Sequence, residues 1–175
     1  MSILSTNSIQ SLSGQQILNN TGGILQANSK TYTGLFTTTT FSSFVDITDF
    51  FVTITPTSTT NKILIIGHIA IGTQAASSSM HKILCNGVEI YPNNPSTGRY
   101  SGWIEFTNSN GDITRNSPFI FLHSPGSTSL QTYQVQCKVN DSGYTATVNR
   151  TYVDSTGNQY STRGASSITV LEVVA

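Results

Sequence analysis

Side chains able to do acid–base, nucleophilic or metal chemistry are few in this 175-residue sequence: five Asp, three Glu, three His and two Cys. Asp46 and Asp49 lie three apart, which on a strand puts them on opposite faces and unsuits them to paired acid and base work. Asp112, Asp141 and Asp154 sit in or beside turns rich in Asn, Gly and Ser, where a short carboxylate caps backbone amides. His68, His81 and His123 show neither HxH nor HxxxH spacing, so no single element brings two of them to one metal. Cys85 and Cys137 form no CxxC pair and read as reduced core residues, with one bridge across facing strands as the alternative. No GxSxG elbow, GxGxxG turn or phosphate-binding P-loop occurs. The expectation is a protein that is not an enzyme and carries no metal and no cofactor.

Aromatic rings are the remaining candidates for contact with a ligand. Tyr91, Trp103 and Tyr160 are placed where rings could stack on a sugar face: Tyr91 beside a proline-containing loop, Tyr160 in the loop from Ser155 to Gly164. Packing within the sheets is the alternative use.

The elements that must position these groups read as strands throughout. Helix formers are scarce, while Thr, Ile, Val, Tyr and Phe recur in short runs bounded by Gly, Pro, Asn and Ser. Strands are expected at 44–55, 62–72, 80–85, 88–91, 100–107, 118–123, 130–139, 144–153 and 167–174. Asn86-Gly87 is the dipeptide of a two-residue hairpin turn. In the run from Lys62 to Gly72, Ile63, Ile65, Ile69 and Ile71 share one face, and Leu64, Ile66 and Ala70 share the other. A sandwich covers only one face of a strand, so the second calls for another cover, such as a neighbouring subunit. Ile63, Ile65, His68, Ile69 and Ile71 are the expected subunit interface, with His68 able to approach a symmetry axis.

Composition sets the setting. Ser and Thr supply 24 and 26 residues, whereas eight basic and eight acidic residues cancel to zero net charge. Such a surface has no field to steer toward polyanions, which argues against nucleic acid. The longest apolar stretch, Ile63 to Ile71, is far below the ~20 residues of a spanning helix, so membrane insertion is not expected. The start of the chain does not resemble a secretory signal peptide. Residues 1–29 contain no charged residue, and their aliphatic residues come singly or in pairs, including Ile9, Leu12, Ile17, Leu18, Ile24 and Leu25. They read as an extended arm that orders against something larger, the alternatives being a frayed terminus or an extra edge strand.

Taken together, the segments TNSIQSLSGQQILNNTGGILQ, FVDITDFFVTITPTSTTNKILI, FLHSPGSTSLQTYQVQ, TVNRTYVD and SSITVLEV resemble a family of small virion proteins of tailed bacteriophages, notably cyanophages and other marine phages. The resemblance spans nearly the whole chain. It implies an antiparallel jelly-roll sandwich like the heads of tumour necrosis factor and C1q, assembled as a homotrimer. It also implies a structural role on the virion surface, with residues 1–29 as an anchoring arm and 30–175 as the β domain. The partners it implies are the chain itself and other capsid or tail proteins; a host surface glycan is the partner that Tyr91, Trp103 and Tyr160 would serve in the alternative reading as a receptor-binding module.

Overall fold

The computed structural model describes residues 23–74, 77–91, 102–106 and 113–175, and every regular element in them is a β-strand. In chain order these are β1 (Ile24–Tyr32), β2 (Phe36–Thr38), β3 (Val45–Ile54), β4 (Lys62–Thr73), β5 (Ser78–Cys85), β6 (Val88–Tyr91), β7 (Trp103–Phe106), β8 (Thr114–His123), β9 (Gln131–Val139), β10 (Ala146–Val148) and β11 (Ser166–Val173). All their pairings are antiparallel.

The strands form two sheets of four rows each. In the first, β1 and β2 run beside β11 and β10, which run beside β4, which pairs on its other side with β8. In the second the order is β3, β9, β5, then β6 and β7 in one row. Counting rows in chain order, the sheets read 1-8-3-6 and 2-7-4-5. That order is the double Greek key of a jelly roll, so the expected fold class is the observed one.

Between the sheets the core follows strand alternation. Ile63, Ile65, Ile69 and Ile71 of β4 meet Ile168 and Val170 of β11 and, across the sandwich, Ile83, Tyr133 and Val135, all fully buried. Gly67 occupies the inward position between Ile65 and Ile69 because the Phe119 ring and the Ser167 carbonyl fill the space a Cβ would need. In β3 the alternation breaks: Ile47 and Phe50 both face inward across a register shift, and Asp49 takes a positive φ of 62°. Gln134 Nε2 donates to the Ile47 and Phe50 carbonyls at 3.0 and 3.3 Å, satisfying the backbone that the bulge frees.

Two expected strand boundaries are corrected by named residues. The segment 144–153 is strand only over Ala146–Val148. Asn149 ends it in a left-handed conformation, φ 63°, because its buried amide donates to the Tyr32 and Gly34 carbonyls, both at 2.8 Å. Its Oδ1 accepts the Ser166 hydroxyl at 2.6 Å. Conversely β8 begins at Thr114 and carries Pro118 within it, which an edge strand tolerates. The part of the expected arm that is described, residues 23–29, lies in and just before β1, registered against β11, which is the extra-edge-strand alternative.

Each open side of the sandwich is closed differently. On the β1–β3 side, Gln26 and Asn28 donate to the Thr55 and Thr53 carbonyls at 2.6 and 2.7 Å, side-chain amides replacing a missing strand. Gln26 also donates to Glu172, an inward-facing carboxylate at the end of β11 with no exposed surface. Glu172 further accepts from the Thr57 amide at 2.6 Å, the Thr57 hydroxyl at 2.8 Å and Asn61 Nδ2 at 2.7 Å. These bonds pin the β3–β4 turn to β11. On the opposite side an aromatic stack does the closing, with Tyr91 on Phe121 at 4.3 Å and Trp103 against Phe119 at 5.7 Å.

Burial alone would raise the Glu172 pKa, but the hydrogen bonds from Asn61, Gln26 and Thr57 outweigh it and hold the group at about 2, against 4.5 unfolded. A depressed folded pKa gives stability that is present above pH 4.5 and lost as the pH falls toward 2, on the order of 3 kcal/mol in all. Buried His81, pushed down to about 3, adds an earlier loss that begins below its ordinary 6.5, because only the unfolded chain takes up the proton. Denaturant unfolding between pH 7 and pH 2 should therefore show stability falling from about pH 6.5 and falling more steeply below about 4.5. Glu172→Gln should lower stability at pH 7 by roughly 1–3 kcal/mol and remove only the steepening.

Candidate functional site

The outward face of the first sheet is the feature the core does not explain. Register places its residues in rows: Ala27, Leu171, Leu64 and Leu122; then Ser29, Thr169, Ile66 and Ile120; then Thr31, Ser167, His68 and Pro118. None of the twelve carries a formal charge. Ile120, Leu122 and Ile66 are 64%, 51% and 40% exposed, and Leu64 and Leu171 are half-buried. Aliphatic side chains concentrate on β4 and β8 and give way to hydroxyls toward β1. This is the kind of contiguous apolar surface that a lone soluble domain rarely presents.

The expected interface residues therefore need correction. Ile63, Ile65, Ile69 and Ile71 have no exposed surface and belong wholly to the core, so they have nothing left to offer a neighbour. The opposite set, Leu64, Ile66 and their partners on β8 and β11, faces outward. His68 does lie on that face. Its ring nitrogens sit 3.0 Å from the Ala165 carbonyl and 3.1 Å from Ser167 Oγ, an ordinary hydrogen-bonded histidine. Ile120, Leu122 and Leu171 were not singled out by sequence, although the uninterrupted run Phe119-Ile120-Phe121-Leu122 carries the same signal as β4: no polar residue on either face.

Other sequence candidates separate rather than converge. Tyr91 and Trp103 are half-buried members of the aromatic stack, their centroids 5.4 Å apart, and Trp103 Nε1 donates to Ser117 Oγ at 3.0 Å. That is packing, although Tyr91 also borders a surface pocket of about 360 Å³ with Ile66, Pro118 and Ile120. Tyr160 is 61% exposed on its own loop. Asp154 does not cap a turn: Arg163 binds both its oxygens, at 3.3 and 2.8 Å, and Arg150 approaches to 3.8 Å. Asp112 lies outside the described residues, as do Ile9, Leu12, Ile17 and Leu18 of the arm. Ile24 and Leu25 are exposed residues of β1.

Both cysteines are free and buried. Cys85 stands opposite Tyr133 and Cys137 opposite His81, four residues apart along β9 and hence about 13 Å, too far to bridge. Burial raises both thiols, Cys137 to about 12, so neither is a nucleophile at neutral pH. Among the described residues no three of His, Cys, Asp and Glu gather around a point that could hold a metal ion.

No protein-family model matches the chain, and no curated protein sequence matches it. Solved structures similar to it include one of the infectious bursal disease virus Gx strain, at 14% identity and a TM-score of 0.41, covering 87% of this chain and 37% of that one. The infectious bursal disease virus VP2 subviral particle is similar at 14% identity and a TM-score of 0.41, covering 96% of this chain and 43% of that one. The chain thus spans about two fifths of the length of either, and its jelly-roll assignment rests on strand order rather than on these likenesses.

Proposed function

We propose that the protein is a virion structural protein of a tailed bacteriophage: a non-enzymatic, surface-exposed trimeric knob, held on the capsid or tail by the residues that precede β1. The observation that carries this reading is the uncharged outer face of the first sheet. A surface with no formal charge in three successive rows is complementary to another copy of itself, since association desolvates no ion and sets no like charges against each other. At ~25 cal/mol/Å², each 100 Å² of aliphatic surface removed from water contributes about 2.5 kcal/mol before association entropy is subtracted. The jelly-roll topology and the resemblance of five segments to small phage virion proteins support the same reading. Display on the tail as a fibre tip and on the head as decoration are separated by imaging labelled virions.

Two experiments test it. Ile66→Lys with Ile120→Lys puts two charges at the centre of the outer face, where both side chains are already solvated in the single subunit. Light scattering should show the wild-type chain as a trimer and the double variant as a monomer with an unchanged unfolding transition. A wild-type protein that is monomeric at micromolar concentration would sink the proposal. Deletion of residues 1–22, which spares β1, should leave a folded trimer that no longer joins particles. Deletion through Ser29 should instead destabilise the domain, because it removes six of the nine residues of β1.

A further inference from the structure

A second surface feature lies at the end of the sandwich, between the β5–β6 hairpin and the β8–β9 connection. It is a pocket of about 350 Å³, within the range of small-molecule sites. None of its lining residues carries a formal charge. Its lining mixes apolar side chains, Val88 and Ile90 of β6 and Pro125, with polar ones, Ser127, Ser129 and His123. Val88 is 67% exposed, a large aliphatic side chain left in water at the pocket mouth that no core packing accounts for.

The floor is built rather than incidental. Gln131, 5% exposed, accepts from Cys85 Sγ at 3.2 Å and from Asn86 Nδ2 at 3.1 Å, and donates to the Ser129 carbonyl at 2.8 Å. Asn86 in turn accepts from the Thr132 amide at 2.9 Å, and Ser127 Oγ accepts from the Ser129 amide at 3.0 Å. These bonds lock the hairpin to the loop, so the walls are preorganised. His123 Nδ1 lies 3.1 Å from the hydroxyl of fully buried Tyr133. One ring nitrogen of this lining histidine is thus held by Tyr133, and burial lowers its pKa and favours the neutral form.

We propose that this pocket binds a single neutral sugar residue. A hexose ring has an apolar C–H face and a rim of hydroxyls that both donate and accept, and the pocket lining combines aliphatic side chains with hydroxyl and imidazole groups. The missing charge disfavours tight binding of phosphate, carboxylate or ammonium, each of which would lose its hydration without a counter-ion. The proposal places the glycan contact, expected from sequence at Tyr91, Trp103 and Tyr160, at this end of the sandwich instead. It is independent of trimer formation and particle attachment, which light scattering and incorporation assays read separately.

The test is titration of the isotopically labelled full chain with neutral methyl hexosides, followed by NMR. The expected result is saturable shifts of the His123 imidazole and of the Val88 and Ser127 to Gln131 amides, at millimolar or lower concentration. Two variants accompany it: Ser127→Trp, which fills the pocket, and Val88→Glu, which adds a charge at an exposed position without touching the core. Each should weaken binding at least ten-fold with an unchanged amide spectrum elsewhere, and Tyr160→Ala should leave binding as it is. A uronic acid should bind at least ten-fold more weakly than the matched neutral sugar. Absence of saturable shifts across neutral hexosides, shifts confined to the Tyr160 loop, or binding unaffected by both pocket variants would overturn the proposal.

Discussion

Everything in this molecule is arranged around a strand that is apolar on two sides. β4 is an interior row of its sheet, hydrogen-bonded to β11 and β8 over most of its length, and its inward isoleucines are the centre of the core. The second sheet can cover only one of its faces. The other is left with Leu64 and Ile66, and the strands on either side extend that face with Leu122, Ile120 and Leu171 instead of breaking it with charge. Ile66, Ile120 and Leu122 are exposed, so the core does not account for their aliphatic character.

The buried carboxylate of Glu172 shows the opposite logic. Glu172 sits at an inward position with no cation beside it, a placement that ordinarily shifts the group toward neutrality. Four neutral donors from β1 and the β3–β4 turn reverse that tendency. The carboxylate thus ties together three segments that strand pairing alone leaves separate, at the end of the sandwich where the chain enters β1. Beside it Val174 N donates to the Gly23 carbonyl at 3.1 Å, extending the β1–β11 ladder past its last strand residue. The position of Gly23, just before β1, is consequently fixed against the end of β11.

Fold class was legible in the sequence because period-two alternation and the Asn86-Gly87 turn are local signals. Each strand expected from those signals begins or ends within three residues of an observed one, and only β8 and β10 depart further at their other end. What escaped was decided by distant partners. β1 reads as an arm because Gln26, Asn28 and Lys30 put polar groups on its inward side, and only the carbonyls of β3 across the sandwich make those groups useful there. Asn149 cuts a strand short for the sake of bonds to Tyr32 and Gly34, more than a hundred residues earlier. The two faces of β4 were legible as a pair, but alternation is symmetric and cannot say which face is the core. Gly67 holds the answer, since its missing side chain makes room for Phe119 on the inner side.

The candidate surfaces divide the same way. The outer face and the end pocket are both uncharged, yet they differ in how their polar groups are treated. On the outer face the Ser29 and Thr169 hydroxyls bond to each other at 3.0 Å, and His68 is satisfied by Ser167 and the Ala165 carbonyl. Such a face has little polar bonding left to exchange and gains chiefly by losing water, which suits a broad, non-directional contact with another subunit. In the pocket, by contrast, the Asn86 and Gln131 amides are spent on joining the hairpin to the loop, while Ser129, His123 and exposed Val88 share the lining. Directional groups beside aliphatic side chains select a small ligand by shape and hydroxyl pattern rather than by area. A chain this poor in charge can therefore keep its two surfaces distinct, because burial of aliphatic area drives one and placement of a few hydrogen-bonding groups drives the other.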